Sequence, residues 1–208
     1  MSSDHAPATF VFGVLGGIAS GKSTVAAMLA GESGRVVAAD QIAHEELASR
    51  EGSGRLVERF GPEALDGAGK PDRSFLADRI FRDPKQRTWL ESWIHPRVRA
   101  RISGDLAQAR AAGVPRVVLD VPLLLENDAE HNYGAKCDAL VFIDVSDAER
   151  DRRAVTSRGW TSGEVARREG AQLPLGKKRS AADFVVSGEV SLTDLAQAID
   201  RILDQVGC

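Results

Sequence analysis

The sequence contains little cysteine and no long hydrophobic run. Its two cysteines, Cys137 and Cys208, do not have the spacing of a metal or redox site, which favours a protein of the reducing cytoplasm. No apolar run reaches the roughly 18 residues that a membrane-spanning helix needs. The N-terminus also lacks a basic start followed by an apolar stretch. We therefore expect neither a membrane partner nor a secretory signal peptide.

An excess of basic charge is also missing. The 208 residues carry a formal net charge of -3 at pH 7, and the pI is about 5.8. Proteins that bind nucleic acid over a whole face are usually basic, so these values argue against nucleic acid as a partner. The length suits one α/β domain with insertions, and only Met1–Pro7 is predicted to be a frayed end.

Apolar runs of strand length alternate with helical patterns along the chain. The predicted strands are Phe10 to Leu15, Arg35 to Ala39, Val117 to Val121, Ala139 to Val145 and Asp183 to Val186. This alternation predicts an α/β fold with a parallel sheet covered on both faces, and with ligands at the carboxyl ends of the strands. The last helical pattern has Ser191 and Asp194 as a cap. Its apolar stripe consists of Leu192, Leu195, Ile199, Ile202, Leu203 and Val206.

A glycine-rich motif directly follows the first predicted strand. Residues 16–23 read GGIASGKS, match the spacing G-x-x-x-x-G-K-[ST] and precede a helical pattern that begins at Thr24. In such a loop the backbone N–H groups surround an anion, and the helix dipole adds positive potential at the same place. The motif therefore predicts binding of a nucleoside triphosphate, with Lys22 at the β- and γ-phosphates and Ser23 as a ligand of Mg²⁺.

Two carboxylates follow predicted strands at the same edge of the sheet as this loop. Asp120 comes directly after a buried run and is a candidate for holding Mg²⁺ through a water molecule. Asp40 ends the second strand and is the best candidate for activating an acceptor. The alternative role for Asp40 is that of N-cap of a helix starting at Gln41.

The segment between Asp40 and Arg116 has helical patterns and no convincing strand. It is too long for a simple crossover and predicts a helical insertion that could shape an acceptor site. His95 precedes Pro96, where a helix boundary is expected, so a turn or packing role is slightly favoured over substrate contact. The remaining histidines lack ligand-type neighbours and are expected at the surface: His5, His44 and His131.

Residues 150–180 are strongly basic. They contain nine basic and three acidic side chains, so they carry +6 while the rest of the chain carries -9. Two helices are predicted, one over Asp147 to Ser157 and one opened by the capping pair Thr161 and Glu164, with Gly159 as a hinge. Phosphoryl transfer needs cations over the transferring group and exclusion of water, which favours a lid over a solvated helix pair.

Taken in order, the motifs resemble those of the dephospho-coenzyme A kinase family. They are Gly16 to Thr24, Ala39 to Ala43, Ile80-Phe81 with Asp83, His95-Pro96, Asp120 to Glu126, and Gln172 to Pro174 with Lys178-Arg179 and Ala182-Asp183. The resemblance implies transfer of the ATP γ-phosphate to the ribose 3′-hydroxyl of dephospho-coenzyme A. It also implies a P-loop kinase fold with a core (8–40, 114–147 and 181–208), a helical acceptor-binding insertion (41–113) and a helical lid (148–180).

The resemblance further implies a set of site residues and Mg²⁺ as the cofactor. The catalytic residues are Asp40, Lys22, Arg158 and Arg179, and the ATP-binding residues are Gly17, Ile18, Ala19, Ser20, Gly21, Lys22, Ser23 and Thr24. The acceptor-binding residues are Asp40, His95, Pro122, Leu123, Leu124 and Glu126, and the Mg²⁺ ligands are Ser23 and Asp120. The chain departs from the family's pattern at Leu15, Ala38 and Gly188, where threonine, aspartate and asparagine are common.

Three other functions remain open on the residues alone. Another small-molecule or nucleoside monophosphate kinase would share the loop, the sheet and the lid. A GTPase is a second alternative, because Asp66 to Gly69 has switch spacing and Ala135 to Asp138 imitates a guanine-reading motif, although neither follows an apolar strand. A noncatalytic nucleotide-binding protein is the third, and it would need no acceptor carboxylate.

Overall fold

A computed structural model describes residues 9–126 and 132–208, so the predictions for His5, His131 and Met1–Pro7 fall outside the described residues. The strands are β1 (Phe10–Gly16), β2 (Arg35–Ala38), β3 (Arg116–Asp120), β4 (Ala139–Asp144) and β5 (Phe184–Ser187). The helices are α1 (Lys22–Ala30), α2 (Ala39–Ala48), α3 (Arg50–Phe60), α4 (Arg73–Arg82), α5 (Pro84–Ala111), α6 (Asp147–Arg158), α7 (Glu164–Glu169), α8 (Leu175–Ser180) and α9 (Leu192–Val206). Short 3₁₀ helices cover Pro62–Ala64 and Gly134–Lys136.

The strands form a single five-stranded sheet in the order β2-β3-β1-β4-β5. β1 pairs in parallel with β3 and with β4, and β4 pairs in parallel with β5. All five predicted strands are therefore confirmed to within two residues, and so is the predicted α/β fold. Because β1 is the central strand, the glycine loop that follows it begins in the middle of the sheet's carboxyl edge.

Both faces of the sheet are buried. Phe12 and Val14 of β1 belong to a hydrophobic cluster that includes residues of α1 and α9. Val11, which points to the opposite face of the same strand, is also fully buried. In the sequence, strands of a parallel sheet that is buried on both faces appear as continuous apolar runs rather than as alternating apolar and polar residues. This explains why β1, β3 and β4 were recognisable in the sequence.

α9 packs one side against this cluster. The Ser191 hydroxyl accepts a hydrogen bond from the Asp194 N–H at 3.1 Å, so the predicted cap is confirmed. Leu195, Ile199 and Ile202 are buried, but Leu192 is 68% exposed. The prediction was wrong for Leu192 because this residue is the first of the helix and precedes the turns that pack on the cluster.

Truncating Leu195 tests this packing. Leu195→Ala removes a side chain that is only 6% exposed, and we expect it to lower the free energy of unfolding by about 2–5 kcal/mol. Leu192→Ala is the matched control, because the same truncation at an exposed position of the same helix should change stability by less than about 0.5 kcal/mol. Chemical denaturation of both variants measures the difference, and equal losses would contradict the packing described for α9.

The basic segment contains one more helix than predicted. α6 is confirmed, and Gly159 ends it in the left-handed region with φ of 64°. α7 begins at Glu164 with Gly163 as its N-cap, so the prediction of Thr161 as the capping residue was wrong. The reason is tertiary: the Asp151 carboxylate accepts hydrogen bonds from the Ser162 hydroxyl and the Gly163 N–H, and these hold the turn before α7. α8 was not predicted.

The chain forms two compact units. One consists of Met1–Val37 with Leu106–Cys208, and the other of Ala38–Asp105. The second unit contains α2, α3, α4 and most of α5, around a cluster of Leu56, Ala64, Leu76 and Leu90. Trp89 and Trp93 pack against this cluster. The finer division into core, insertion and lid stays a prediction. In the described ranges, no helix combines the length and apolarity needed to cross a membrane.

Candidate active site

The glycine loop connects the central strand β1 to α1. α1 begins at Lys22, two residues before the predicted start, and its N-cap Gly21 is left-handed with φ of 91°. Ala19 also has a positive φ of 60°. A Cβ atom on Gly16 would lie 2.6 Å from the Ser20 hydroxyl oxygen, so the loop can close this tightly only with glycine there. The loop therefore has the compact backbone that a phosphate-binding loop requires.

Lys22 folds back over this loop. Its Nζ donates hydrogen bonds to the carbonyl oxygens of Gly16 at 3.2 Å and Gly17 at 2.8 Å. Burial lowers the pKa of Lys22 from its ordinary value of 10.5, and the nearby Asp120 carboxylate partly opposes this shift. The ammonium group is thus held at the loop, where an anionic ligand would replace its weaker carbonyl contacts.

Ser23 and Asp120 meet beside Lys22, as the sequence led us to expect. The Ser23 hydroxyl donates a hydrogen bond to Asp120 Oδ2 at 2.7 Å, joining the start of α1 to the end of β3. Hydroxyl and carboxylate oxygens are the donors that Mg²⁺ prefers, and this ion usually takes few protein ligands together with substrate phosphates. Consistently, residues 9–126 and 132–208 contain no cluster of three or more His, Cys, Asp or Glu that could hold a metal alone. The pair therefore fits Mg²⁺ bound with a nucleotide.

Two cations of the basic segment, residues 150–180, influence Lys22 electrostatically. Lys178 and Arg158 both lower the pKa of Lys22, although less than its burial does, so their charges lie within electrostatic reach of it. Arg179 is more than half exposed, and its Nε lies 3.4 Å from Asp144 Oδ2. Arg158, one of the two arginines predicted to be catalytic, is therefore close enough to act on Lys22.

Lys178 was missing from the predicted site residues. It is only 4% exposed, and its Nζ lies 2.6 Å from Glu126 Oε1 and 3.2 Å from Gln172 Oε1. In the sequence it stands between two other basic residues, and nothing local distinguishes them. In α8, Lys178 is buried whereas Lys177 and Arg179 are exposed, so only the packed helix identifies it.

The turn after β3 contains four of the residues predicted to bind the acceptor: Pro122, Leu123, Leu124 and Glu126. Pro122 is exposed, and Leu123 has a positive φ of 58°, an uncommon conformation for a branched residue. Leu124 is only 2% exposed as a whole residue, so it packs inside the protein and is not presented to a ligand in this conformation. Glu126 Oε1 accepts hydrogen bonds from Lys178 and from the Leu173 N–H, which connects this turn to α8.

Asp40 lies in the second unit and is exposed, in the first turn of α2. α2 begins at Ala39 and has Ala38 as its N-cap, so the alternative in which Asp40 caps a helix starting at Gln41 was wrong. β2 runs straight into the helix, which leaves no separate capping residue between them.

His95 also lies in the second unit and is exposed, in the interior of α5. The helix boundary expected at this position was wrong, because α5 continues through Pro96. A proline in a helix interior costs about 3 kcal/mol through a lost hydrogen bond and a clash with the preceding turn. The buried residues Leu90 and Ile94 before it and Ile102 after it offset that cost by packing.

Two of the departures from the family's pattern have a physical explanation. Leu15 is buried in β1, so its side chain belongs to the core. At Gly188, a Cβ atom would lie 2.5 Å from Val145 Cγ2, so a larger residue requires Val145 to move. The Gly188 carbonyl accepts a hydrogen bond from Arg153 Nη2 at 2.6 Å. Arg153 is therefore the polar side chain beside Gly188, the position at which the family commonly has asparagine.

The features that resembled a GTPase have local structural roles. Asp66 Oδ1 accepts hydrogen bonds from the N–H groups of Ala68 and Lys70, which closes a turn before α4. Asp138 Oδ2 accepts the Val11 N–H at 2.7 Å, near the start of β1 and so at the opposite end of that strand from the glycine loop. Asp138 therefore does not lie at the end of β1 where a guanine contact would be needed.

A parallel sheet with a glycine loop after its central strand, a lysine on that loop and an adjoining Ser–Asp pair defines a P-loop nucleotide-binding fold, the fold of P-loop kinases. The family model for dephospho-CoA kinase matches residues 10–194 of this chain. A dephospho-CoA kinase of Corynebacterium glutamicum is 35% identical over 195 residues, which cover 93% of this chain and 98% of that protein. One of Rhodopirellula baltica is 34% identical over 208 residues, covering 98% and 94%.

Solved structures agree with this match. The crystal structure of TT1252 from Thermus thermophilus is 34% identical, has a TM-score of 0.72 and covers 96% of this chain and 98% of that one. The dephospho-CoA kinase of Campylobacter jejuni has a TM-score of 0.70 at 24% identity over 94% of this chain and 96% of that one, and so supports the fold alone. The chain belongs to the dephospho-CoA kinase family. It is an ATP-dependent kinase, and both the resemblance and the P-loop kinase fold predicted from the sequence are confirmed.

Proposed function

We propose that this chain transfers the γ-phosphate of ATP to the ribose 3′-hydroxyl of dephospho-coenzyme A, giving coenzyme A and ADP. The observation that carries the proposal is the family match over residues 10–194, since it spans the glycine loop, the segment around Asp40 and the basic segment together. A match to the loop alone would support binding of a nucleoside triphosphate and nothing more. The names of the relatives supply the acceptor.

The donor half of the reaction is assigned to the loop and its neighbours. The N–H groups at the start of α1 are assigned to the phosphates, and Lys22 exchanges its contacts with two carbonyl oxygens for contacts with the β- and γ-phosphates. Ser23 and Asp120 would hold Mg²⁺, which neutralises charge on the phosphate oxygens when it is bound. Arg158 and Arg179 are assigned to the transferring phosphoryl group, and Lys178 joins them because its charge acts on Lys22.

The acceptor half is assigned to Asp40 and to groups predicted to bind dephospho-coenzyme A. Asp40 accepts the proton of the 3′-hydroxyl as it attacks, which an exposed carboxylate can do. His95, Pro122, Leu123 and Glu126 are proposed to contact the acceptor. Leu124, which was also predicted to bind the acceptor, is buried as a whole residue and is assigned to supporting the turn that carries its neighbours.

We also propose a cytoplasmic enzyme without a nucleic acid or membrane partner. The two cysteines lack metal or redox spacing, which fits a reducing compartment. The moderately acidic overall charge does not favour nucleic acid. ATP and dephospho-coenzyme A are then the partners that the site must accommodate.

The release of ADP with and without acceptor tests the proposed function. A dephospho-coenzyme A kinase should release ADP slowly from ATP alone, and about 10²-fold faster or more once dephospho-coenzyme A is added, because the acceptor hydroxyl completes the reacting geometry. A noncatalytic nucleotide-binding protein would release no ADP under either condition. Fast release that the acceptor does not change would indicate hydrolysis instead of transfer.

Substitution of Asp120 tests the proposed Mg²⁺ ligands. Asp120→Asn keeps a hydrogen-bond acceptor for Ser23 but removes the negative charge, so we expect the Mg²⁺ concentration for half-maximal activity to rise about 10- to 100-fold. Asp200→Asn, at an exposed position of α9, is the matched control and should leave that concentration unchanged. An Asp120→Asn enzyme with the wild-type Mg²⁺ dependence would remove this residue from the metal site.

A further inference from the structure

A buried charge cluster lies directly behind the glycine loop. Arg150 of α6 is only 2% exposed although arginine is almost always charged. Its Nη1 lies 2.6 Å from Glu169 Oε1, its Nη2 lies 2.5 Å from Asp147 Oδ1, and its Nε donates to the Val145 carbonyl oxygen at 3.3 Å. Each nitrogen of the guanidinium therefore has an acceptor, which compensates for its removal from water.

Glu169 connects this cluster to the loop. The same oxygen, Oε1, accepts a hydrogen bond from the Ile18 N–H at 2.6 Å, while Arg150 Nη1 also lies 3.4 Å from the Ile18 carbonyl oxygen. Both polar backbone groups of Ile18 are thus held by one ion pair. A Cβ atom on Gly17 would lie 2.5 Å from Arg150 Nη1 and 2.8 Å from Glu169 Oε1, so the pair packs against bare backbone.

Glu169 is the last residue of α7, in the segment predicted to be the lid. It is one of two acidic side chains in this helix, and the other, Glu164, forms ion pairs with Arg167 and Arg168 on the same helix. Glu169 instead pairs across 19 residues with Arg150 and reaches a loop N–H that is 151 residues away in the chain. Such long-range bonds fix the position of the loop backbone and of the helix end that carries Glu169.

We propose that Glu169 is a positioning residue of the phosphate loop: with Arg150, it holds the Gly17–Ile18 turn in its binding conformation and attaches α7 to that turn. The inference rests on the proposed nucleotide site, and it adds a role for two residues outside the glycine motif. A turn that is ordered before ATP arrives does not lose its conformational entropy on binding, and each residue so fixed is worth about tenfold in affinity. The paired guanidinium also balances the Glu169 charge, which would otherwise repel phosphate.

Two substitutions of Glu169 test this inference, because one removes the charge of the side chain and the other shortens it. Glu169→Gln keeps the length of the side chain and an oxygen that can accept from Ile18 and Arg150. Glu169→Asp keeps the charge but is one methylene too short to make both contacts. We expect Glu169→Asp to raise the Kd for Mg·ATP about tenfold and Glu169→Gln to change it by less than about threefold. Glu164→Gln, which loses the ion pairs with Arg167 and Arg168 within the same helix but no contact to the loop, is the control and should bind ATP like the wild type.

Hydrogen exchange at the Ile18 amide provides a second readout that needs no variant. The proposal predicts slow exchange of this amide in the full-length protein without nucleotide, because Glu169 protects it. Fast exchange there would overturn the proposal even if Glu169→Asp did not fold. An unchanged Kd in Glu169→Asp, or tighter ATP binding, would also overturn it, the latter by indicating that the carboxylate competes with phosphate. A wild-type protein that bound no ATP would instead refute the proposed nucleotide site.

Discussion

Asp40→Asn is expected to lower kcat about 10²- to 10⁴-fold while leaving the affinity for ATP near that of the wild type. An asparagine keeps the size and one oxygen of the side chain, but it cannot accept the proton of the acceptor hydroxyl. The loss should therefore appear in the chemical step and not in donor binding. Steady-state kinetics with saturating dephospho-coenzyme A, together with direct measurement of ATP binding, separate the two effects.

Glu45→Gln is the matched control for this variant. Glu45 lies on the same helix, α2, and its carboxylate accepts a hydrogen bond from the Gln41 side chain at 3.0 Å. The substitution makes the same chemical change one turn or so further along, so kcat should stay within about twofold of the wild type. If Asp40→Asn also turned over at a near-normal rate, the assignment of Asp40 as the catalytic carboxylate would be wrong.

Lys22→Ala is expected to lower kcat/KM about 10³-fold or more with the fold intact. Two carbonyl oxygens position the Lys22 ammonium at the loop, where we propose that the phosphates bind. Removing it takes away charge stabilisation that increases as the phosphoryl group is transferred. Because the lysine side chain donates only to loop carbonyls that ordered water can also satisfy, we expect the unfolding temperature to change little.

Lys85→Ala, at an exposed position early in α5, is the control for loss of a lysine charge and should retain wild-type kinetics. Circular dichroism of both variants establishes that the fold is kept. Retained activity and unchanged ATP affinity in Lys22→Ala would contradict the assignment of the loop as the phosphate site. Loss of structure instead of activity would assign Lys22 a role in stability.

The strands and the glycine loop could be predicted from the sequence because their signals are local. Buried parallel strands are continuous apolar runs, and β1 with GGIASGKS after it carries the strand, the loop and the helix start in a single stretch. The order of those elements also predicted correctly that Ser23 and Asp120 would come together, since both follow neighbouring strands at the same edge.

Helix boundaries were less predictable because tertiary contacts decide them. The capping pattern at Thr161 was overruled by Asp151, which holds the following turn from a different helix. Pro96 did not end α5, because apolar residues on both sides of it are packed. In each case the local preference is worth a few kcal/mol or less, and the packing of distant residues outweighs it.

The site residues that the sequence left unidentified are those defined by a distant partner. Lys178 resembles its basic neighbours until α8 packs and buries it beside Glu126. Glu169 resembles a solvated lid residue until the fold brings it to the Ile18 amide. Charge composition singled out the basic segment, but it could not say which of its members contact the loop.

The central claim is that dephospho-coenzyme A is the acceptor, and one competition experiment tests it directly. The enzyme is incubated with Mg²⁺, ATP and equal amounts of dephospho-coenzyme A, AMP and shikimate, and the products are identified by mass spectrometry and ³¹P NMR. We predict one phosphoryl group added to dephospho-coenzyme A at the ribose 3′-oxygen, with AMP and shikimate unchanged. Phosphorylation of AMP or shikimate in its place would contradict the account.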